Sequence, residues 1–203
     1  MLYPLVKASV VGLMRLLFRL EVRGREHVPP AGPVLLVSNH TSLLDPPLVG
    51  GATPRELYFL AKEELFRIPV LGPLIHRLNA RPVKRDGSDS RALKAALQLL
   101  AEGRALLLFP EGTRGRDGRL GEGKPGAGML AVMSGAPVVP VYVSGSGRAL
   151  PPGRAIPRLT KVSVRFGPPL HFKAADDDGR KERYREAAQE MMRAIAQLRD
   201  QPV

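Results

Sequence analysis

Two short polar segments each follow directly on an apolar run. Asn39-His40-Thr41-Ser42-Leu43-Leu44-Asp45 comes after Pro33–Val37, and Phe109-Pro110-Glu111-Gly112-Thr113-Arg114 comes after Ala105–Leu108. An imidazole with a carboxylate a few residues on can act as a general base whose tautomer the carboxylate fixes. A glycine two residues before an arginine lets backbone N–H groups and a guanidinium close on an anion. Together the two segments suit movement of an acyl group onto the hydroxyl of a phosphorylated acceptor. The same residues also fit plain structural roles. Asp45 before two prolines is a good helix N-cap, and a histidine at a strand end can be a simple hydrogen-bonded core residue.

The spacing bears on geometry. On a helix, two side chains five positions apart diverge by about 140°, and Pro46 disfavours the helical region at Asp45. The segment is therefore expected to be a turn that carries Asp45 back to His40. Other patterns are weaker. Gly145-Ser146-Gly147 lacks the first glycine of a nucleophile elbow, because position 144 is Ser. Gly121-x-Gly123-x-x-Gly126 has the dinucleotide spacing but holds Pro125 where the helix should open. Gly118-x4-Gly123-Lys124 is followed by Pro125 and so lacks the hydroxyl of a P-loop. His27, His40, His76 and His171 are scattered and predict no metal site. Arg116, Arg119 and Lys124 add positive field to the second loop or are simply solvated.

The elements that must position these groups read as strand–helix alternation. Buried strands are expected at Val34–Ser38, Leu57–Ala61, Ala105–Phe109 and Pro137–Val143, with an edge-like alternating strand at Lys161–Phe166. Pro46 and Pro47 can open a short helix through Leu48–Gly51. Further helices are expected from about Ser88 (N-cap) to Glu102, at Met129–Ser134, and from Arg180 to Arg199. The Ser88 helix presents Leu93, Ala96, Leu97 and Leu100, and the last presents Tyr184, Ala188, Met191, Met192 and Ile195. Phe66–Arg85, Pro110–Gly126 and Ser144–Leu159 read as loops. The prediction is an α/β fold, one domain with a largely parallel sheet flanked by helices.

Residues 1–20 are read as an amphipathic membrane-associating helix, and residues 21–203 as the catalytic domain. Lys7, Arg15 and Arg19 share one sector of the helix wheel. Leu2, Leu5, Val6, Val10, Leu13, Leu16, Leu17 and Leu20 fill the other, a pattern suited to the membrane interface. The uncharged run Ala8–Met14 is too short to span a bilayer. The rival reading packs this helix on the protein's own core.

The formal net charge is +12, a field that attracts anionic lipid, acidic protein or nucleic acid. With no Trp, four Tyr and six Phe, base-stacking platforms are poorly supplied, so nucleic acid is not expected as a partner. The absence of Cys excludes disulfides and a thiol nucleophile.

Set in order, these segments resemble the glycerolipid acyltransferases, specifically bacterial 1-acyl-sn-glycerol-3-phosphate acyltransferases. Asn39-His40-x4-Asp45 is similar to the first family signature, and Leu60-Ala61-Lys62-x-Glu64-Leu65 to the segment behind it. Arg81-Pro82-Val83-Lys84-Arg85 is similar to the second signature, with Lys84 where the family usually has Asp. Phe109–Arg114 is similar to the third, and Val138-Val139-Pro140-Val141 to the fourth.

The resemblance implies transfer of a fatty acyl chain from acyl-CoA or acyl carrier protein to lysophosphatidic acid, giving phosphatidic acid. It implies His40 as the base and Asp45 as its orienter. Lys62, Arg85, Glu111, Gly112, Thr113 and Arg114 would hold the acceptor, without cofactor or metal. It also implies a peripheral or monotopic place on the cytoplasmic face of the cell membrane, against an anionic surface. The nearest alternative is a family member acting on a lyso-ornithine lipid or glycerol 3-phosphate. A basic nucleic-acid binder and a catalytically silent membrane adaptor are more distant ones.

Overall fold

The central strands of this chain are too apolar to face water on either side, and the architecture follows from covering both faces. The computed structural model describes residues 2–83, 90–115, 119–154, 156–173 and 179–201. In chain order the elements are α1 (Leu2–Phe18), β1 (Glu21–Arg23), β2 (Val34–Ser38), α2 (Asp45–Ala52), β3 (Leu57–Lys62), α3 (Leu71–Arg77) and β4 (Ala80–Val83). They continue with α4 (Ser90–Ala101), β5 (Ala105–Leu108), α5 (Pro125–Ser134), β6 (Val138–Ser144), the single turn α6 (Ser146–Ala149), β7 (Ser163–Phe166) and α7 (Arg180–Asp200).

One seven-stranded sheet runs in the order β1-β7-β6-β2-β5-β3-β4. Every pairing is parallel except β6 with β7. The expected α/β fold with a largely parallel sheet is the one the chain adopts. β2 is buried at every residue, and its side chains alternate between two cores. Val34 and Leu36 join Met14, Phe18, Leu48 and Val49 from α1 and α2. Leu35 and Val37 join Leu100, Leu130, Met191 and Ile195 from α4, α5 and α7.

Several expectations are corrected. The described part of the expected loop Phe66–Arg85, residues 66–83, is not a loop: it holds α3 and β4. Pro73 falls in the first turn of α3, where a backbone N–H has no helical partner. Pro82 sits on β4, the last strand of the sheet, where a missing donor breaks no ladder. The strand at Lys161–Phe166 is interior rather than edge-like, because the three-residue β1 pairs beyond it. α5 opens at Pro125, a residue well suited to the first helical position. The expected N-cap Ser88 lies outside the described residues.

The carboxyl-terminal part of α1 packs on the protein's own core through one face and leaves another exposed. Met14 and Phe18 are buried in the core, whereas Leu13 and Leu16 are exposed. The side chains of Leu2, Leu5, Val6, Lys7 and Val10 lie outside the described part. Among the described residues no helix is long and apolar enough to cross a membrane.

Candidate active site

β2 and β5 are parallel neighbours, and their carboxyl ends release the two polar segments side by side, where such sheets open crevices for ligands. Asn39 fixes the point of departure. Its Nδ2 donates to Val143 O at 2.9 Å, and its Oδ1 accepts from Val143 N at 2.7 Å. The side chain thus ties the first residue after β2 to β6, and His40 begins the turn from a rigid position.

The turn closes on one carboxylate oxygen. Thr41 N and Ser42 N donate to Asp45 Oδ2 at 2.7 and 2.8 Å, and His40 Nδ1 lies 2.9 Å from the same atom. Asp45 is fully buried in the first turn of α2, where the helix dipole favours negative charge. The imidazole stacks on Phe109 with ring centroids 4.0 Å apart and planes 20° from parallel. This geometry assigns the proton on Nδ1 to Asp45 and leaves Nε2 for proton transfer.

The expectation that Pro46 keeps Asp45 out of the helix is corrected, since Asp45 is its first residue and Leu44 occupies the cap position. The steric restriction from a following proline is outweighed by the three donors gathered on Asp45 Oδ2. Ser42 Oγ receives Leu44 N at 3.3 Å and donates to Leu150 O at 3.0 Å.

The second segment is bolted to the first. Glu111 is buried, with Oε1 accepting from His40 N at 3.1 Å and Oε2 from Gly121 N at 2.9 Å. Gly115 N donates to His40 O at 2.7 Å. Both Glu111 oxygens are therefore engaged by backbone, a positioning role rather than contact with an anion. A Cβ at Gly121 would stand 3.0 Å from Glu111 Oε2, so the bare backbone is what lets the carboxylate in. Gly112 has φ 69°, and a Cβ there would meet Lys124 Cδ at 2.9 Å, so the lysine side chain lies across the loop.

The structure brings His40, Asp45, Glu111 and Gly112 together. Thr113 and Arg114 extend from the same loop and are exposed. Lys62 is exposed at the carboxyl end of β3, the strand beyond β5. Arg85 lies outside the described residues.

Sequence reasoning left out Asn39 and Phe109 as parts of the site and gave Lys124 no specific place. Asn39 carried a signal, its position beside His40, but its partner is 104 residues away. Phe109 read as the end of an apolar strand.

A cleft of about 810 Å³ opens on the β6 side of His40, its lining including Asn39, Thr41, Gly115, Tyr142 and Arg148. That size suits a small-molecule site, for which roughly 300–1,000 Å³ is usual. Tyr142 lines this cleft, and burial pushes its phenol up, with Arg199 and Arg165 pulling the other way. Ser146 is buried with Oγ 2.9 Å from Thr41 Oγ1, a brace under the cleft rather than a free nucleophile. Among the described residues no three His, Cys, Asp or Glu side chains gather as a metal site. The whole arrangement presents an oriented base with a cationic glycine loop on one side and a cleft of mixed, mainly apolar lining on the other.

Residues 19–144 match the family model described as Acyltransferase. The chloroplastic 1-acyl-sn-glycerol-3-phosphate acyltransferase of Arabidopsis thaliana is 34% identical over 163 residues, 78% of this chain and 46% of that protein. The 1-acyl-sn-glycerol-3-phosphate acyltransferase of Bacillus subtilis (strain 168) is 30% identical over 153 residues, 74% of this chain and 73% of that protein. The crystal structure of the 1-acyl-sn-glycerophosphate acyltransferase from Thermotoga maritima matches with a TM-score of 0.78 at 29% identity, covering 99% of this chain and 81% of that one. The chain spans about half the length of the chloroplast relatives it matches.

Proposed function

This chain belongs to the acyltransferase family, and from that premise we propose that it acylates the sn-2 hydroxyl of 1-acyl-sn-glycerol-3-phosphate. The donor is a fatty acyl thioester of coenzyme A or acyl carrier protein, and the product is phosphatidic acid. The observation that carries this reading is the 2.9 Å contact between His40 Nδ1 and a buried Asp45 oxygen that also holds two backbone N–H groups.

His40 Nε2 takes the proton of the acceptor hydroxyl as its oxygen attacks the thioester carbonyl. The carbonyl π electrons move to oxygen and return as the carbon–sulfur bond breaks. The thiolate leaves, and the imidazolium, stabilised by Asp45, returns its proton to sulfur. A thioester is already activated, so alignment and proton transfer suffice and no acyl-enzyme is needed.

The acceptor phosphate meets Thr113 and the cations Arg114 and Lys124 over the bare backbone of Gly112, whose own N–H donates to Phe109 O at 2.9 Å and so shapes the loop. Lys62 and Arg85 are further candidates for that role, and Glu111 holds the loop in shape. The cleft on the β6 side is left for the donor. The charge of +12 supports peripheral association with an anionic membrane surface, at about 1 kcal/mol per surface Lys or Arg, and a coenzyme A or carrier-protein donor places that surface on the cytoplasmic face. Exposed Leu13 and Leu16 of α1 add apolar contact.

The test is mass spectrometry of products after incubation with mixed lysolipids, glycerol 3-phosphate and both thioester carriers. Phosphatidic acid should dominate and should vanish in His40→Ala. Acylation only of a non-phosphorylated lysolipid would overturn the phosphate assignment.

A further inference from the structure

Large apolar side chains crowd one edge of the sheet instead of scattering over the surface. Val70 is 82% exposed, Leu16 80%, Ile156 80%, Leu159 77%, Leu43 50% and Ile68 44%. They come from four separate segments, and the topology gathers those segments. Leu43 belongs to the turn after β2, and Ile68 and Val70 to the connection after β3, both leaving the carboxyl ends of parallel strands. Ile156 and Leu159 lie between β6 and the antiparallel β7, at the same end. Val162 N bonds Phe18 O, and Glu21 N bonds Val162 O, so the end of α1 that carries Leu16 arrives there too. Met133 is the contrast, exposed at the opposite end just before β6.

The tip is rigid. Leu71 N donates to Pro69 O at 2.8 Å across Val70, which has φ 67° and ψ −51°. This is a γ-turn of the rare positive-φ hand, strained for a β-branched residue. A strained backbone that presents a valine to water is a feature that function explains better than folding does. Exposed Arg148, Arg154 and Arg158 stand on the connection between β6 and β7, and Arg67, on the connection after β3, is paired with Glu63 at 3.1 Å.

We propose that Ile68 and Val70, with Leu16, Leu43, Ile156 and Leu159 around them, form a lipid-insertion rim that seats the His40 edge on an anionic bilayer. Apolar tips interleaved with arginines match an anionic lipid surface, where the tips enter the acyl boundary and the guanidinium groups meet headgroup phosphates. A lysolipid acceptor would then move from the bilayer to His40 without crossing water. The inference rests on the membrane part of the reading above and extends it from α1 to loops of the catalytic domain.

The chain has no Trp, so V70W, I156W and M133W each carry a single indole reporter. The probe is vesicles of phosphatidylglycerol and phosphatidylcholine, with and without brominated acyl chains. In V70W and I156W the emission should shift to the blue and be quenched by bromine, and in M133W neither should occur. The double variant Ile68→Ser/Val70→Ser should weaken vesicle partition on the order of 10-fold. Unquenched V70W and I156W on vesicle-bound protein would overturn the proposal, as would no vesicle binding at all. A shift on adding acidic acyl carrier protein alone would overturn it too, marking a protein-docking surface. Because the readout is fluorescence, the rim can fail while acyl transfer stands, and the reverse.

Discussion

The connections after β2 and after β3 leave the same edge of the sheet and are built in opposite ways. Between Asn39 and Asp45, polar groups find partners inside the protein. The Asn39 amide is held by Val143, the ring and two N–H groups converge on Asp45, and Glu111 receives the backbone of His40. After β3, Ile68 and Val70 face solvent, and the backbone is bent through a positive φ. A group that must hand over a proton repeatedly from one place needs its supporting dipoles fixed beforehand. A surface that must meet another body needs the reverse, side chains left without partners until contact. The first connection should therefore govern turnover, and the second association.

The largest expected effect tests that split directly. His40→Ala should lower turnover by ~10²–10⁴, which is about 3–5 kcal/mol of barrier, with vesicle binding unchanged in a co-sedimentation assay. Loss of both together would erase the distinction. Asp45 sharpens it further. Its Oδ1 is buried without a partner among the described residues, while Oδ2 takes three donors. Asp45→Asn can keep an oxygen in the Oδ2 position and its amide in the vacant one. It should fold within about 1–2 kcal/mol of the parent yet lose at least ~10² in turnover, because the imidazolium loses its counter-charge. Asp45→Ala leaves three buried donors unmatched and should cost roughly 3–5 kcal/mol of stability, read by urea denaturation. Equal stability of the two variants would refute the three-donor account.

Glu111 comes next. Glu111→Gln places an amide where two backbone N–H groups need acceptors, a loss of about 1–3 kcal/mol. Thermal melting should fall by ~2–4 °C for each kcal/mol, and kcat should drop with it as His40 loosens. A rise in KM alone, with melting unchanged, would return Glu111 to the acceptor-binding role its sequence motif implies.

The same contrast governs what could be read from sequence. β2, β5 and β6 announce themselves by continuous apolar runs, and His40 and Asp45 by types rare at strand ends. Their meeting was expected from the turn, and the 2.9 Å contact agrees. Phe66–Arg85 hid a helix and a strand because its prolines break structure only where an N–H is needed, and position within the sheet decides that. β1 hid because three residues make no pattern. Lys124 hid because its approach to Gly112 depends on the long loop closing on itself, with Lys124 N donating to Pro110 O at 2.9 Å. Side-chain chemistry is local and legible, whereas the neighbour that completes it comes from the topology.

The smallest effect is the most pointed, because it should run opposite to every other. Val70→Gly removes the Cβ from a positive-φ turn whose strain is of order 1–3 kcal/mol. It adds glycine's unfolded-state freedom, about 0.4–1 kcal/mol in the other direction. The net expectation is stabilisation of about 1 kcal/mol, a melting point higher by ~2–4 °C. Vesicle binding should weaken at the same time, since the most exposed apolar tip is gone. Turnover on a short-chain acceptor that needs no bilayer should not change, because the His40 turn is built from other strands. A variant that is more stable, equally active on the soluble acceptor and poorer at finding vesicles would mean the strain is kept for contact. A lower melting point would mean instead that the valine supports the fold, and the two connections would no longer be opposites.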